Sequence, residues 1–168
     1  MSKVLILMGS DSDLEYMKDS VEELQKCGVD FDIYVASAHR TPKRVENLVK
    51  QAEQNGTSVI IAGAGGAAHL AGVIASHTIL PVIGVPLPTL GLGGADALLA
   101  TVQMPRGIPV ATVGMGNSAN AALLALQILA LSDEKVKKYM TEYRNSLKDK
   151  VLQKDLRVQK YFGRIDDD

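Results

Sequence analysis

A histidine and an arginine stand side by side at residues 39 and 40, in the segment SAHRTP that follows an apolar run. An imidazole side chain ordinarily gives up and takes a proton near neutral pH, so His39 could carry a proton to and from a bound molecule. The guanidinium of Arg40 would oppose the dipole of a helix that begins at Pro42 unless an anion lay beside it. A loop histidine is more often a solvated or capping residue, and from these residues alone that alternative stays open.

A second polar segment, GSDSD at residues 9–13, also follows an apolar run. Ser10 and Ser12 offer hydroxyl groups, and a helix starting behind them would present free N–H groups to a phosphate. Asp13 is too negative to contact that phosphate and suits a ribose hydroxyl instead. A capping box formed by Ser12 and Glu15 explains the same residues equally well.

The third segment is AGAGGAAHL at residues 62–70, whose three glycines would let a flat ring lie against the main chain. The spacing of Gly63, Gly65 and Gly66 is not GxGxxG, so the segment is a weak nucleotide signature. His69, which follows, is either a second polar group near a ligand or a packed core histidine.

Other reactive residues are assigned structural roles. Arg106 lies in a Pro-Arg-Gly turn that favours a tether over a ligand contact, and His77 has no acidic or thiol partner close in sequence. The single cysteine, Cys27, cannot form an internal disulfide and is expected to pack. The glycine-rich residues 86–94 predict a mobile loop or lid. The three histidines lack the HxxxH spacing of a metal site, so no metal is predicted.

The elements that must position these segments alternate along the chain. Uninterrupted apolar strands alternating with helices predict an α/β fold, a three-layer α/β/α sandwich with a flavodoxin-like parallel sheet. Ligands bind outside the carboxyl ends of such strands, which is where the polar segments fall. Thr41 is expected to cap the second helix. The predicted strands are residues 4–8, 29–36, 58–62, 81–85 and 109–113, and the predicted helices begin at residues 14, 42, 67 and 95.

The length of 168 residues and the hydrophobic content of 46% predict a single domain. Its core is expected at residues 3–132, with an added C-terminal helix in an extension over residues 133–165 and a frayed end at 166–168. The run at residues 119–131 is apolar almost all the way round. It is either a central buried helix or a subunit contact, and we favour the contact.

Charge and hydropathy exclude several classes of partner. The 18 Lys and Arg residues nearly balance the 19 Asp and Glu residues, so no global field would attract nucleic acid or a membrane surface. The apolar run near the N-terminus is too short for a signal peptide or a membrane span. We therefore expect a cytoplasmic protein that binds a small molecule, with no nucleic-acid or membrane partner.

From residue 3 to about residue 132 the chain resembles the PurE family of purine biosynthesis. The resemblance is carried by five motifs in the same order, MGSDSD, SAHRTP, GAGGAAHL, MPRGIPV and NAALLALQIL. The resemblance implies a homo-octamer with active sites at subunit contacts. It also implies an isomerase that moves a carboxylate from the exocyclic nitrogen of the aminoimidazole ribonucleotide to ring carbon 4, by decarboxylation and recarboxylation without metal, ATP or other cofactor. Ala71 departs from the family, which often has proline there.

The resemblance also implies roles for individual residues. His39 matches the catalytic histidine, which acts as a general acid and then as the base that takes the proton from carbon 4. Asp13 matches the position that binds ribose hydroxyls. The other expected substrate-binding residues are Ser10, Ser37 and Arg40 for the 5′-phosphate, Ala64, Gly65 and Leu70 for the base and carboxylate, and Ser12 and His69 beside them.

Two alternatives remain at this stage. A second branch of the same family carboxylates the aminoimidazole ribonucleotide with free carbon dioxide, but GAGGAAHL and MPRG here are more similar to the mutase branch. A non-catalytic nucleotide-binding module would need only the phosphate and ribose contacts.

Overall fold

The computed structural model describes residues 3–89 and 92–164. In these residues, five parallel strands form one sheet in the order β2-β1-β3-β4-β5, which is the flavodoxin-like winding. The strands are β1 (Lys3–Met8), β2 (Asp30–Val35), β3 (Thr57–Gly65), β4 (Val82–Leu87) and β5 (Ala111–Thr112). The helices are α1 (Leu14–Cys27), α2 (Pro42–Gln54), α3 (Leu70–Ala75), α4 (Ala95–Val102), α5 (Ser118–Leu129) and α6 (Glu134–Tyr161).

Helices cover both faces of the sheet, as the continuous apolar strands require. On one face, Ile6 of β1 and Ile61 of β3 pack against α1 and α5 in a fully buried cluster. On the other face, Leu7 of β1 and Ile60 of β3 pack against α2 and α3. The predicted three-layer α/β/α sandwich is therefore confirmed.

Two predicted elements are shorter than expected because their backbones cannot continue. The third helix begins at Leu70 rather than at residue 67, since Gly66 and Ala68 have φ angles of 59° and 36° that no right-handed helix contains. The last strand covers Ala111–Thr112 rather than residues 109–113. Pro109 has no N–H group to donate to the ladder, so pairing starts after it.

The apolar helix at residues 119–131 lies inside the subunit as α5. Ala121, Ala122, Ala125 and Leu126 are fully buried in the same cluster as α1 and the sheet. Burial within one chain thus accounts for one face of the helix, as the central-helix alternative requires. Leu123, Leu124 and Ile128 are only partly buried and Leu131 is 88% exposed, so the subunit contact stays a prediction.

The C-terminal extension is one long helix, α6, of 28 residues. Its first turns pack against α5 through Val136 and Met140. Residue 165 and the expected frayed end at 166–168 lie outside the described residues. In the two described stretches, no helix combines the length and the apolar character needed to cross a bilayer.

Candidate active site

The carboxyl ends of the strands open onto a cavity of about 480 Å³. The segments at the ends of β1, β2, β3 and β4 meet there, because parallel strands all end at one edge of the sheet. All ten residues expected in the substrate site line this cavity, namely Ser10, Ser12, Asp13, Ser37, His39, Arg40, Ala64, Gly65, His69 and Leu70.

His39 and His69 form a pair at this cavity. Nε2 of His39 lies 2.8 Å from Nδ1 of His69, and the two rings meet edge to face with centroids 4.9 Å apart. At that distance one nitrogen carries the proton and the other accepts it. His69 is therefore not a core histidine, and the two exposed imidazoles can pass a proton between them or to a molecule in the cavity.

The Arg40 side chain bridges the loops after β1 and β2. Its Nη2 donates to the Gly9 carbonyl oxygen at 3.1 Å, and its Nε donates to Ser37 Oγ at 3.4 Å. The backbone N–H of Arg40 also donates to Ser37 Oγ at 3.2 Å. Among the described residues no carboxylate pairs with this guanidinium, so its charge is available to an anion in the cavity.

Ser10 and Asp13 close the turn that begins the loop after β1. The Ser10 N–H donates to Asp13 Oδ2 at 3.0 Å, and Ser10 Oγ accepts from the Ser12 N–H at 3.4 Å. The expected alternative of a capping box between Ser12 and Glu15 is wrong, because Glu15 pairs with Lys18 at 2.8 Å instead. Ser12 donates its hydroxyl to Ser10 Oγ at 3.0 Å.

Asp13 is a buried carboxylate within the cavity wall. Burial raises the pKa of Asp13 above its usual value, and it outweighs the opposing effect of the backbone N–H groups of Ser10 and Gly9 and of the Arg40 charge. The neutral acid is thus favoured more than in water, and a hydroxyl donor brought to Asp13 would help to stabilise the carboxylate.

The turn after β3 is held in a strained conformation. Ala68 has a φ of 36°, which a residue with a Cβ rarely adopts, and its side chain is buried. Thr89, from the segment after β4, lies against Gly65 so closely that its Oγ1 fills the space that a Cβ on Gly65 would need. The glycine at position 65 therefore lets two strand-end loops meet at the cavity.

Sequence reasoning missed part of the cavity wall. Thr89 lines it together with Gly9, Ala38 and Ala68. Thr89 follows β4 directly, so applying the strand-end rule to that strand would have found it. It belongs to the predicted lid at residues 86–94, of which 86 and 87 form the end of β4 and Leu90 and Gly91 lie outside the described residues.

The residues assigned structural roles lie away from the cavity. Cys27 is partly buried against the core, where burial raises the pKa of its thiol. Arg106 is exposed and makes no hydrogen bond or ion pair with the described residues, so the expected tether is wrong. His77 is exposed at the opposite end of the strands, in a larger cavity of about 740 Å³ that contains none of the expected site residues. Thr41 precedes α2, but its hydroxyl bonds to Ser37 and does not cap the helix as expected.

Comparison with known proteins matches this geometry to one family. A model of the family described as AIR carboxylase matches residues 3–150. The chain is 53% identical over 154 residues to the N5-carboxyaminoimidazole ribonucleotide mutase of Pyrococcus horikoshii, and the alignment covers 92% of this chain and 87% of that protein. It is 50% identical over 159 residues to the mutase of Thermotoga maritima, with coverages of 95% and 93%.

A solved structure agrees in fold. The crystal structure of PurE from Treponema denticola superposes with a TM-score of 0.87 at 31% identity, covering 95% of this chain and 99% of that one. Because the family model and the relatives span nearly all of the chain, this protein belongs to the AIR carboxylase family.

Proposed function

We propose that this protein is an isomerase of purine biosynthesis that converts N5-carboxyaminoimidazole ribonucleotide to 4-carboxy-5-aminoimidazole ribonucleotide. Two kinds of observation support the proposal: membership of the family, and the hydrogen-bonded pair of His39 and His69 beside a guanidinium and a buried carboxylate. The pair is the observation that carries the chemistry, because the transfer needs one group that both gives and takes a proton.

The substrate would lie across the strand ends, with its phosphate, ribose and base following the order β2, β1 and β3 in the sheet. Arg40 and Ser37 follow β2 and would hold the 5′-phosphate, the first by a charge-assisted hydrogen bond. Ser10 from the loop after β1 would join them, and Asp13 from that loop would accept from ribose hydroxyls. The base and its carboxylate would lie at the end of β3, against a wall of small and apolar groups from that strand end and from the start of α3, namely Ala64, Gly65 and Leu70.

The reaction then requires two proton transfers, one from the enzyme to the substrate and one back, so that no net proton is gained or lost. As the bond between the exocyclic nitrogen and the carboxyl carbon breaks, its electron pair returns to nitrogen, and protonated His39 supplies the proton. Ring carbon 4 next attacks the released carbon dioxide, and His39 removes the proton from that carbon. His39 ends protonated as it began, so one histidine balances both steps.

His69 would orient His39 and share its proton. The Nε2 of His39 has a partner in Nδ1 of His69, which fixes the direction of the imidazole ring. A fixed ring loses less freedom when the substrate binds. We assign His69 this positioning role.

The trapped carbon dioxide must not escape, which requires a cover over the cavity. Both imidazoles are exposed in the single chain, so the cover would come from the segment after β4 or from another subunit. The homo-octamer, with its sites at subunit contacts, and the cytoplasmic location stay predictions that follow from the sequence.

The experiment offers the purified protein two substrates separately. The first is the nitrogen-carboxylated ribonucleotide, and the second is the aminoimidazole ribonucleotide with bicarbonate. We expect efficient formation of the carbon-carboxylated product from the first. Efficient turnover of only the second would make the protein a carboxylase, and binding without turnover of either would make it a non-catalytic module.

A further inference from the structure

Thr89 is a polar residue of the cavity that neither the motifs nor the proposed chemistry uses. It lies two residues beyond the end of β4, and its backbone N–H donates to the Leu87 carbonyl oxygen at 2.9 Å, which turns the chain over the sheet edge. Its side chain is partly exposed and lines the same cavity as His39 and His69.

The Thr89 hydroxyl has no hydrogen-bond partner among the described residues. It is nevertheless held in place, since Thr89 Oγ1 occupies the space beside Gly65 that a Cβ at that position would need. A donor that is held against the main chain but left unpaired in a cavity is prepared for a bond to a ligand.

The order of the strands indicates which part of the ligand Thr89 would meet. Neighbouring strands of a sheet lie about 4.8 Å apart, so the strand-end loops form a row in the order β2, β1, β3, β4. The proposed phosphate, ribose and base contacts occupy the first three places of this row. Thr89 stands in the fourth, next to the residue proposed to line the base and the carboxylate.

We infer that the Thr89 hydroxyl donates a hydrogen bond to the carboxylate that is moved, and so holds it beside ring carbon 4. This inference rests on the proposed isomerase function. A hydroxyl donor suits the task because it binds the carboxylate oxygens without taking part in proton transfer, which stays with His39.

The test compares Thr89→Val, which keeps the shape but loses the O–H group, with Thr89→Ser, which keeps the O–H group. Thr141→Val is the matched control, because that hydroxyl donates to the Lys137 carbonyl oxygen on an exposed face of α6. For each variant we would measure kcat/KM and the dissociation constants of two ligands, the aminoimidazole ribonucleotide and its 4-carboxy product.

Thr89→Val should bind the 4-carboxy product and use the substrate about tenfold to a hundredfold less well, as expected for one lost bond to a charged group. It should bind the aminoimidazole ribonucleotide, which has no carboxylate, as the wild type does. Thr89→Ser should recover most of the loss, and Thr141→Val should match the wild type.

Equal binding of the carboxylated ligand by Thr89→Val and the wild type would overturn the inference, as would an equal loss for both ligands. Failure of the wild type to convert the substrate would instead overturn the proposed function. The two failures are distinguishable, because the binding comparison does not depend on turnover.

Discussion

At the scale of single residues, the bond between His39 and His69 joins two loops that are 30 positions apart in sequence. We expect His39→Asn to lower kcat by about 10²- to 10⁴-fold, the usual contribution of general acid–base catalysis. Binding of the aminoimidazole ribonucleotide should stay close to that of the wild type, because the proposed phosphate and ribose contacts come from other residues. Steady-state kinetics and calorimetry measure the two effects.

The matched control for that variant is His77→Asn, at the exposed histidine on the opposite end of the strands. It should leave both quantities unchanged. A His39→Asn protein with a near-normal rate would remove His39 from the chemistry, whatever its effect on binding.

Asp13 is a second residue whose environment has a measurable consequence. Because burial raises the pKa of its carboxyl in the folded chain, the ionised form is disfavoured by folding. The stability that this group contributes is present below the ordinary aspartate pKa and is lost as the pH rises through the higher pKa of the folded state. At neutral pH the ionised Asp13 therefore lowers the free energy of unfolding.

Asp13→Asn should raise the melting temperature of the ligand-free protein at pH 7, because asparagine can still accept from the Ser10 N–H but has no charge to bury. The difference should shrink as the pH falls through the raised pKa of folded Asp13, and it should vanish only below the ordinary aspartate pKa of about 3.9, where the carboxyl is protonated in both states. The same variant should bind the ribonucleotide less tightly. Thermal melts at several pH values check the sign, and a lower melting temperature at pH 7 would contradict it.

At the scale of elements, β3 and α1 pack so closely at Gly63 that no side chain fits between them. A Cβ on Gly63 would overlap the Sδ of Met17, which is fully buried in α1. We expect Gly63→Ala to reduce the free energy of unfolding by about 1–3 kcal/mol, as overpacking of a core does. Urea denaturation measures the change.

Gly114→Ala is the control for Gly63→Ala, since the added Cβ would lie 3.8 Å from the nearest side-chain carbon, in Asn117. Its effect should stay within about 0.5 kcal/mol. If Gly63→Ala were as stable as the control, Met17 of α1 would not lie in contact with Gly63 of β3.

The elements also indicate what sequence can predict. Apolar runs and helical periods predicted the parallel sheet, and the strand-end rule indicated which segments would meet at its edge. The resemblance to the PurE family then singled out four of the ten residues that line the cavity, Ser37, Ala64, Gly65 and Leu70. Local backbone chemistry was harder to predict. The positive φ angles of Gly66 and Ala68 depend on the tertiary turn after β3. The expected capping pair, Ser12 with Glu15, and the observed one, Ser10 with Asp13, each place an acidic residue three positions after a serine. Thr89 was missed because its segment was interpreted as a lid, although it lies against Gly65, 24 positions away in sequence, at the cavity.

At the scale of the whole molecule, α6 carries an apolar stripe that continues past the body of the chain. Val136 and Met140 bury the first part of the stripe against α5. Further along the same side of the helix lie Val151 and Val158, which are 63% and 54% exposed. They are seven residues apart, which is about two helical turns. Residues 147–164 also contain six basic and two acidic side chains, whereas α1 contains four acidic and two basic ones.

If the subunits form the expected homo-octamer, a second copy of the chain is the partner that this stripe and its charge fit. Val158→Lys should then give a smaller assembly in sedimentation velocity, because it places a charge in a dry contact. Asp149→Lys, which adds the same side chain on the opposite side of the helix, should not. An unchanged mass for Val158→Lys would exclude the distal half of α6 from the interface.

Transfer of the substrate's own carboxyl group can be followed through the carboxyl carbon itself. The wild-type protein would receive the nitrogen-carboxylated ribonucleotide with a ¹³C label in its carboxyl group, in a buffer that contains unlabelled bicarbonate, with His39→Asn as the inactive reference. We predict that the 4-carboxy product retains the ¹³C label and forms far faster than with His39→Asn. Product that carries unlabelled carbon, or no product above that of His39→Asn, would contradict the account.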